Sequence, residues 1–144
     1  MLMGELNRRQ NKFTDAERSY TEALTLQKDN KDAPETAASL AALGELYFES
    51  NKSEQARGNL TKAISIYQKN YKAASKNANA QEVYARGILN TSWLLSKIAL
   101  NEQHPEEAIQ QCKTAIQYKS SLTTADPKVE ECERLLSAPK PSTP

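Results

Sequence analysis

The sequence predicts an all-α fold, an α-solenoid of about three stacked helix pairs closed by a C-terminal capping helix. Two observations carry this. First, two stretches superimpose when slid by forty residues: Gly4, Ala16, Tyr20 and Ala23 answer to Gly44, Ala56, Leu60 and Ala63. Small residues at fixed spacing mark places where helix backbones approach closely. A helix pair that cannot bury its apolar face alone must stack on copies of itself. Second, hydrophobic residues are 38% and aromatics 6% of 144 residues, with only four glycines. That suits an alanine-rich helical array better than a β-sandwich, which needs more turns and β-branched residues.

The chain begins with a helical stub over 1–10. If Gly4 is the glycine of a first repeat, several residues of that helix precede Met1, so the chain is expected to be cut from a longer protein. A helix over 14–28 follows, with Thr14 as N-cap and Asp15 and Glu17 where the helix dipole favours acids. Ala16, Tyr20, Ala23 and Leu24 form its apolar stripe. Pro34 disfavours helix at the residue before it and separates this helix from the next, over 35–50. The turn Asn51-Lys52 leads to Ser53 as N-cap of a helix over 54–75, through Ala56, Leu60, Ala63, Ile64, Tyr67 and Tyr71. Residues 76–79 turn the chain into a helix over 80–101, which holds the densest apolar run, from Ile88 to Leu100.

Pro105 opens the next helix, where a missing N–H costs nothing. Ala108, Cys112 and Ala115 repeat the spacing of Ala56, Leu60 and Ala63, but at an offset of fifty-two. Twelve extra residues shared by two antiparallel helices lengthen each by about six, or ~9 Å. The helices over 54–75 and 80–101 are therefore expected to be the longest. Asp126-Pro127 starts the capping helix, with Val129, Cys132, Leu135 and Leu136 on one face and Lys128, Glu130, Glu131 and Glu133 on the other. The predicted organisation is a repeat domain over 1–137, with repeats at 1–34, 35–79 and 80–123 and a cap at 126–137. Residues 138–144 form a Pro-rich tail or linker.

Net charge is +1, and no basic stripe is interleaved with aromatics, which excludes nucleic acid. No apolar run approaches the ~18 residues of a membrane span, and Met1-Leu2-Met3 is too short for a signal peptide. A cytoplasmic location is favoured. Cys112 and Cys132 have no second Cys or His beside them, so metal-ligand spacing is absent. Both are expected as reduced, buried thiols, a disulfide requiring that the fold bring them together. His104, the lone histidine, precedes Pro105, Glu106 and Glu107 and reads as a turn or cap. There is no phosphate loop, H-E-x-x-H or G-x-S-x-G, so no catalytic residue, cofactor, metal or enzymatic activity is expected.

Leu40-x-x-Leu43-Gly44-x-x-Tyr47 followed by Ala56-x-x-x-Leu60-x-x-Ala63 resembles the tetratricopeptide repeat (TPR) family. The match covers 1–122. It weakens in the third repeat, where Ser96 replaces the glycine, Ala99 the tyrosine and Cys112 the large residue. The repeat length, and the run from Arg9 to Leu24, resemble the kinesin light-chain-like subclass. The resemblance implies a right-handed α-solenoid acting as a scaffold or adaptor, with a concave groove that binds a peptide or helix of a partner protein. It also implies groove residues. These are Glu5, Arg8 and Arg9 from the first helix; Ala38, Ala41, Ala42, Glu45, Phe48 and Glu49 from the helix over 35–50; and Asn90, Trp93, Leu94, Lys97 and Asn101 from that over 80–101. Leu40, Leu43, Gly44 and Tyr47 share the opposite face and leave these free to point inward. Trp93 reads as either a groove anchor or core.

In chaperone-binding members, inward Lys, Asn and Arg hold a C-terminal carboxylate. Here the matching places carry Glu5, Ala42, Asn90 and Leu94, and Glu5 repels a carboxylate, which excludes a chaperone tail. The groove, mixed in charge and partly apolar, suits a partner with apolar anchors and some basic character. The competing expectation is self-association into a homo-oligomer, through Leu2, Met3 and Leu6 or through Tyr67, Tyr71, Val83 and Tyr84 on the stretched pair. An accessory domain of a larger protein is the third.

Overall fold

The computed structural model describes residues 2, 3, 5 and 12–139, and among these every regular element is helical. Leu2, Met3 and Glu5 are helical. Then come α1 (Phe13–Leu26), α2 (Pro34–Glu49), α3 (Ser53–Ala73), α4 (Ala78–Asn101), α5 (Pro105–Gln117) and α6 (Pro127–Ser137), with a 3₁₀ turn at Lys119–Ser121. Each helix packs on its neighbours in the chain, and α2 also meets α4 across α3. That near-neighbour pattern is what a helical solenoid produces. At 21 and 24 residues, α3 and α4 are the longest, as the twelve-residue expansion demands.

Prolines stand at the start of α2, α5 and α6, where their fixed φ suits a helix and no N–H is missed. Asp126 caps α6, its carboxylate accepting from the Lys128 N–H at 2.9 Å. Thr14 and Ser53, by contrast, lie inside their helices, and the cap positions are Lys12 and Lys52. The cause is visible in the turn before α3. Asn51 adopts a left-handed φ of 59°, and the Lys52 N–H returns to the Tyr47 carbonyl at 2.8 Å, so the helix restarts one residue early. The turn before α5 repeats this: Gln103 has φ 61°, and the His104 N–H reaches the Ala99 carbonyl at 2.8 Å. Asn51 and Gln103 are fifty-two residues apart, the same offset that aligns Ala56 with Ala108.

The core forms three linked clusters. Ala16, Tyr20, Leu43, Leu46, Tyr47, Ala56 and Leu60 pack with Leu94, Leu95 and Ile98 of α4. Ala37, Leu40, Ala63, Tyr67 and Ile88 form the second, and Leu89, Cys112, Ala115 and Cys132 the third. Gly44 lies at the α2–α3 crossing, where an added Cβ would fall 2.6 Å from Leu60 Cγ. Gly87 makes a second close approach, its Cβ position 2.7 Å from the Tyr67 ring.

Two expectations are corrected here. Cys112 and Cys132 are buried but not reduced: they are joined by a disulfide, with Cα atoms 5.0 Å apart. The turn over 118–126 folds α6 back so that its apolar face meets that of α5, and each face carries a cysteine. The stretched helix pair also presents little apolar surface. Tyr67 is buried, and Tyr71 packs edge-on against Tyr118 at 4.9 Å with its hydroxyl 2.6 Å from that of Ser121. Tyr84 is half-buried, which leaves Val83, 62% accessible, as the exposed member of the four. At the other end Leu2 and Met3 are exposed, while Leu6 lies outside the described residues.

Candidate partner-binding groove

On α2 the buried stripe Leu40, Leu43, Gly44 and Tyr47 faces the neighbouring helices. The three- and four-residue spacing then turns Ala38, Ala41, Ala42 and Glu45 the other way. These four line a cavity of about 260 Å³ together with Asn90, Trp93 and Leu94 of α4. Seven of the fourteen residues named from sequence thus converge on one concavity. Tyr67, Gly87, Thr91 and Lys128 complete its lining, and sequence reasoning had placed none of them there. Lys128 was assigned to the solvated face of the capping helix. Nothing in the sequence fixes how that helix turns on α4, so the assignment missed the cavity.

The lining is graded. Leu94 is buried and belongs to the first core cluster, so it forms floor. Ala38, Ala41 and Ala42 are half-buried walls, and Asn90 is exposed at the rim. The Tyr67 hydroxyl, desolvated by burial, has its pKa pushed up to about 12 and stays neutral through the ordinary pH range.

Trp93 is half-buried and packs against two core clusters while lining the cavity, so anchor and core are one position. Its indole N–H donates to Glu131 Oε2 at 2.8 Å. The ammonium groups of Lys97 and Lys128 lie 5.2 and 5.5 Å from the ring centroid, within cation–π range. Lys97 also pairs with Glu131. That hydrogen bond, aided by the indole N–H and opposed by partial desolvation, holds the Glu131 carboxyl below the usual carboxylate range. Helix α6 therefore clasps Trp93 and places Lys128 in the wall of the cavity.

The other named residues lie apart from this cavity. Lys97 opens onto a second one, of about 300 Å³, with Trp93, Ser96, Leu100, Arg134 and both cysteines. Asn101 is exposed at the end of α4 and lines neither. Glu49 is exposed at the end of α2. Glu5 accepts a hydrogen bond from the Tyr20 hydroxyl at 3.3 Å, which draws it toward α1. Arg8 and Arg9 lie outside the described residues. Phe48, named for the inward face, is half-buried and packs on the first cluster, because it adjoins Tyr47 at the edge of the buried stripe.

Helix pairs stacked on their chain neighbours, small residues at the crossings and a lined concave face define a helical-repeat protein. Residues 1–69 match the family model described as tetratricopeptide repeat, and that stretch is similar to this family. Repeats of this family are in general protein–protein interaction modules and typically not enzymes. No curated protein matches the sequence.

Proposed function

We propose that the protein is a scaffold or adaptor that holds a peptide or helix of a partner protein against the concave face between α2 and α4. The observation that carries this is one cavity with an apolar floor and walls of Leu94, Ala38, Ala41 and Ala42, rimmed by Glu45, Asn90 and Lys128. An apolar centre inside a polar rim is how recognition surfaces are built. Its volume, about 260 Å³, is below the ~300–1,000 Å³ of small-molecule pockets. It suits one or two anchoring side chains of a longer segment. The rim holds an acid, a base and an amide, so the partner presents an apolar anchor with polar flanks. A net charge of +1 supports a protein partner over nucleic acid, and no helix among the described residues is long and apolar enough to cross a membrane.

The test is peptide display. Peptides selected on the wild-type chain should carry an apolar anchor and bind at least tenfold more weakly to Ala41→Leu/Asn90→Ala, which fills the cleft and strips its rim. The variant should keep its helicity and melting temperature. Selected peptides that bind the variant unchanged, or a library that yields none, would overturn the proposal.

A further inference from the structure

Helix α6 is docked by a covalent bond and by three half-buried apolar side chains on the third cluster. It has 11 residues, short of the ~12–15 at which a helix sustains itself in water. Cys132 is its one buried residue, and Val129, Leu135 and Leu136 are half-buried. Its polar ties to α4 are Glu131 with Trp93 and Lys97, Lys128 over the Trp93 ring, and Asp126 with Arg86 at 3.8 Å. Partly exposed pairs of this kind contribute little. The disulfide, spanning 20 residues, supplies what they lack by restricting how far the helix can stray. The first two core clusters contain no α6 residue, so they do not need this helix in place.

Trp93 connects the disulfide to the groove. It lines the cavity between α2 and α4, and it also lines the second cavity, whose wall includes Cys112 and Cys132. Lys128, carried on α6, stands in the wall of the first. Moving α6 therefore alters both cavities at once.

We propose that the Cys112–Cys132 disulfide is a redox lock on α6: its reduction releases the helix, frees Trp93 from Glu131 and Lys128, and opens the cavity wall in which Lys128 stands. The reductant is a dithiol, approaching through the second cavity. Its thiolate attacks one cysteine sulfur, the Cys112–Cys132 bond breaks, and the other cysteine leaves as a thiolate. The second sulfur of the dithiol then displaces the first cysteine from the mixed disulfide. Two electrons and two protons pass to the protein, which gains two thiols, while the dithiol becomes a disulfide. Lys97, Glu131 and Arg134 line that cavity; Lys97 is paired with Glu131, which leaves the Arg134 guanidinium to favour the thiolates formed on the way. The effect on the groove rests on the function proposed above, whereas the release of α6 does not.

Trp93 is the single tryptophan of the chain, so its emission reports α6 directly. In the full-length oxidised protein, emission should be shifted to the blue and both cysteines should resist maleimide. Dithiothreitol should move emission to the red, raise acrylamide quenching and lower amide-exchange protection across 127–137 by on the order of tenfold or more, with 34–73 unchanged. Oxidised dithiothreitol should reverse all three changes, and Cys112→Ser/Cys132→Ser should show them without reductant. Unchanged emission and protection, once mass spectrometry confirms two thiols, would overturn the lock. So would loss of helix throughout the chain, which would make the disulfide a staple of the whole domain. Display-selected peptides should bind oxidised and reduced protein with different affinity. If α6 is released and their affinity stays the same, the link to the groove fails while the groove itself stands.

Discussion

A methyl group added at Gly44 would lie 2.6 Å from Leu60 Cγ and 2.7 Å from Cδ2, and Leu60 is fully buried with no room to retreat. Gly44→Ala should therefore cost ~1–3 kcal/mol, the usual range for overpacking. Gly58 is the internal control. It is exposed on α3, and an added Cβ meets nothing within 4 Å. Gly58→Ala should instead stabilise by ~0.5–1 kcal/mol, because alanine loses less backbone entropy in a helix. Urea denaturation of both variants decides the matter: equal shifts would refute the crossing at Gly44. This glycine was legible because it sits inside a spaced pattern with Leu40, Leu43 and Tyr47. Gly87 was not, because it falls in the twelve-residue expansion, where the repeat offers no register. Tyrosine titration provides a second test at this scale. Burial pushes Tyr67 from its ordinary 10.0 to about 12, and burial together with the 2.7 Å hydrogen bond to Glu17 does the same for Tyr47. Each is held neutral in the fold, so its contribution is complete below pH 10 and is lost as pH rises toward 12. The melting temperature should fall through that window, and Tyr67→Phe should make the fall shallower. An identical alkaline profile for wild type and variant would refute the assignment to Tyr67.

Helices were easier to foresee than their ends. Apolar spacing placed the six helices between residues 13 and 137 within a few residues, since burial of a stripe at helical period is a strong constraint. Ser53 misled because side-chain capping is only one way to satisfy the first N–H groups. There the preceding turn decides, through the left-handed residue Asn51, as Gln103 does before α5. The two differ in suitability. Asparagine tolerates that conformation through its short polar side chain, whereas glutamine bears a steric cost of ~1–2 kcal/mol. Gln103→Gly should thus raise stability by up to ~1 kcal/mol after the added chain entropy of glycine is subtracted, and Asn51→Gly should gain less. Thermal denaturation in which Asn51→Gly gains more than Gln103→Gly would contradict this ranking. The same turn geometry at an offset of fifty-two also shows why the third repeat was hard to see. Its register is kept in the turn, while Ser96, Ala99 and Cys112 replace the residues that mark it in sequence.

Across the whole molecule, what sequence could not supply was the placement of α6. Its amphipathic face was plain, yet the direction in which 118–126 returns the chain decides that Cys132 meets Cys112 and that Lys128 and Glu131 reach Trp93. Seven of the eleven residues that line the α2–α4 cavity were named from sequence for the opposite reason: α2 and α4 are long, and the buried stripe on each fixes what its other face presents. The resulting array should behave as one cooperative unit with a weak end. Leu95 is 2% accessible and joins α4 to residues of α1, α2 and α3 in the first cluster. Leu136 is half-buried and borders the third cluster alone. Truncating Leu95 removes contacts shared by several helices, so Leu95→Ala should cost ~2–5 kcal/mol and lower exchange protection throughout α1–α4. Leu136→Ala should cost under ~1.5 kcal/mol, with loss of protection confined to α6 and the adjoining end of α5. Because nearest-neighbour coupling governs such arrays, the two variants differ in reach as well as in size. Hydrogen exchange showing that Leu136→Ala loosens α2 as much as α6 would rule out the end-weighted solenoid.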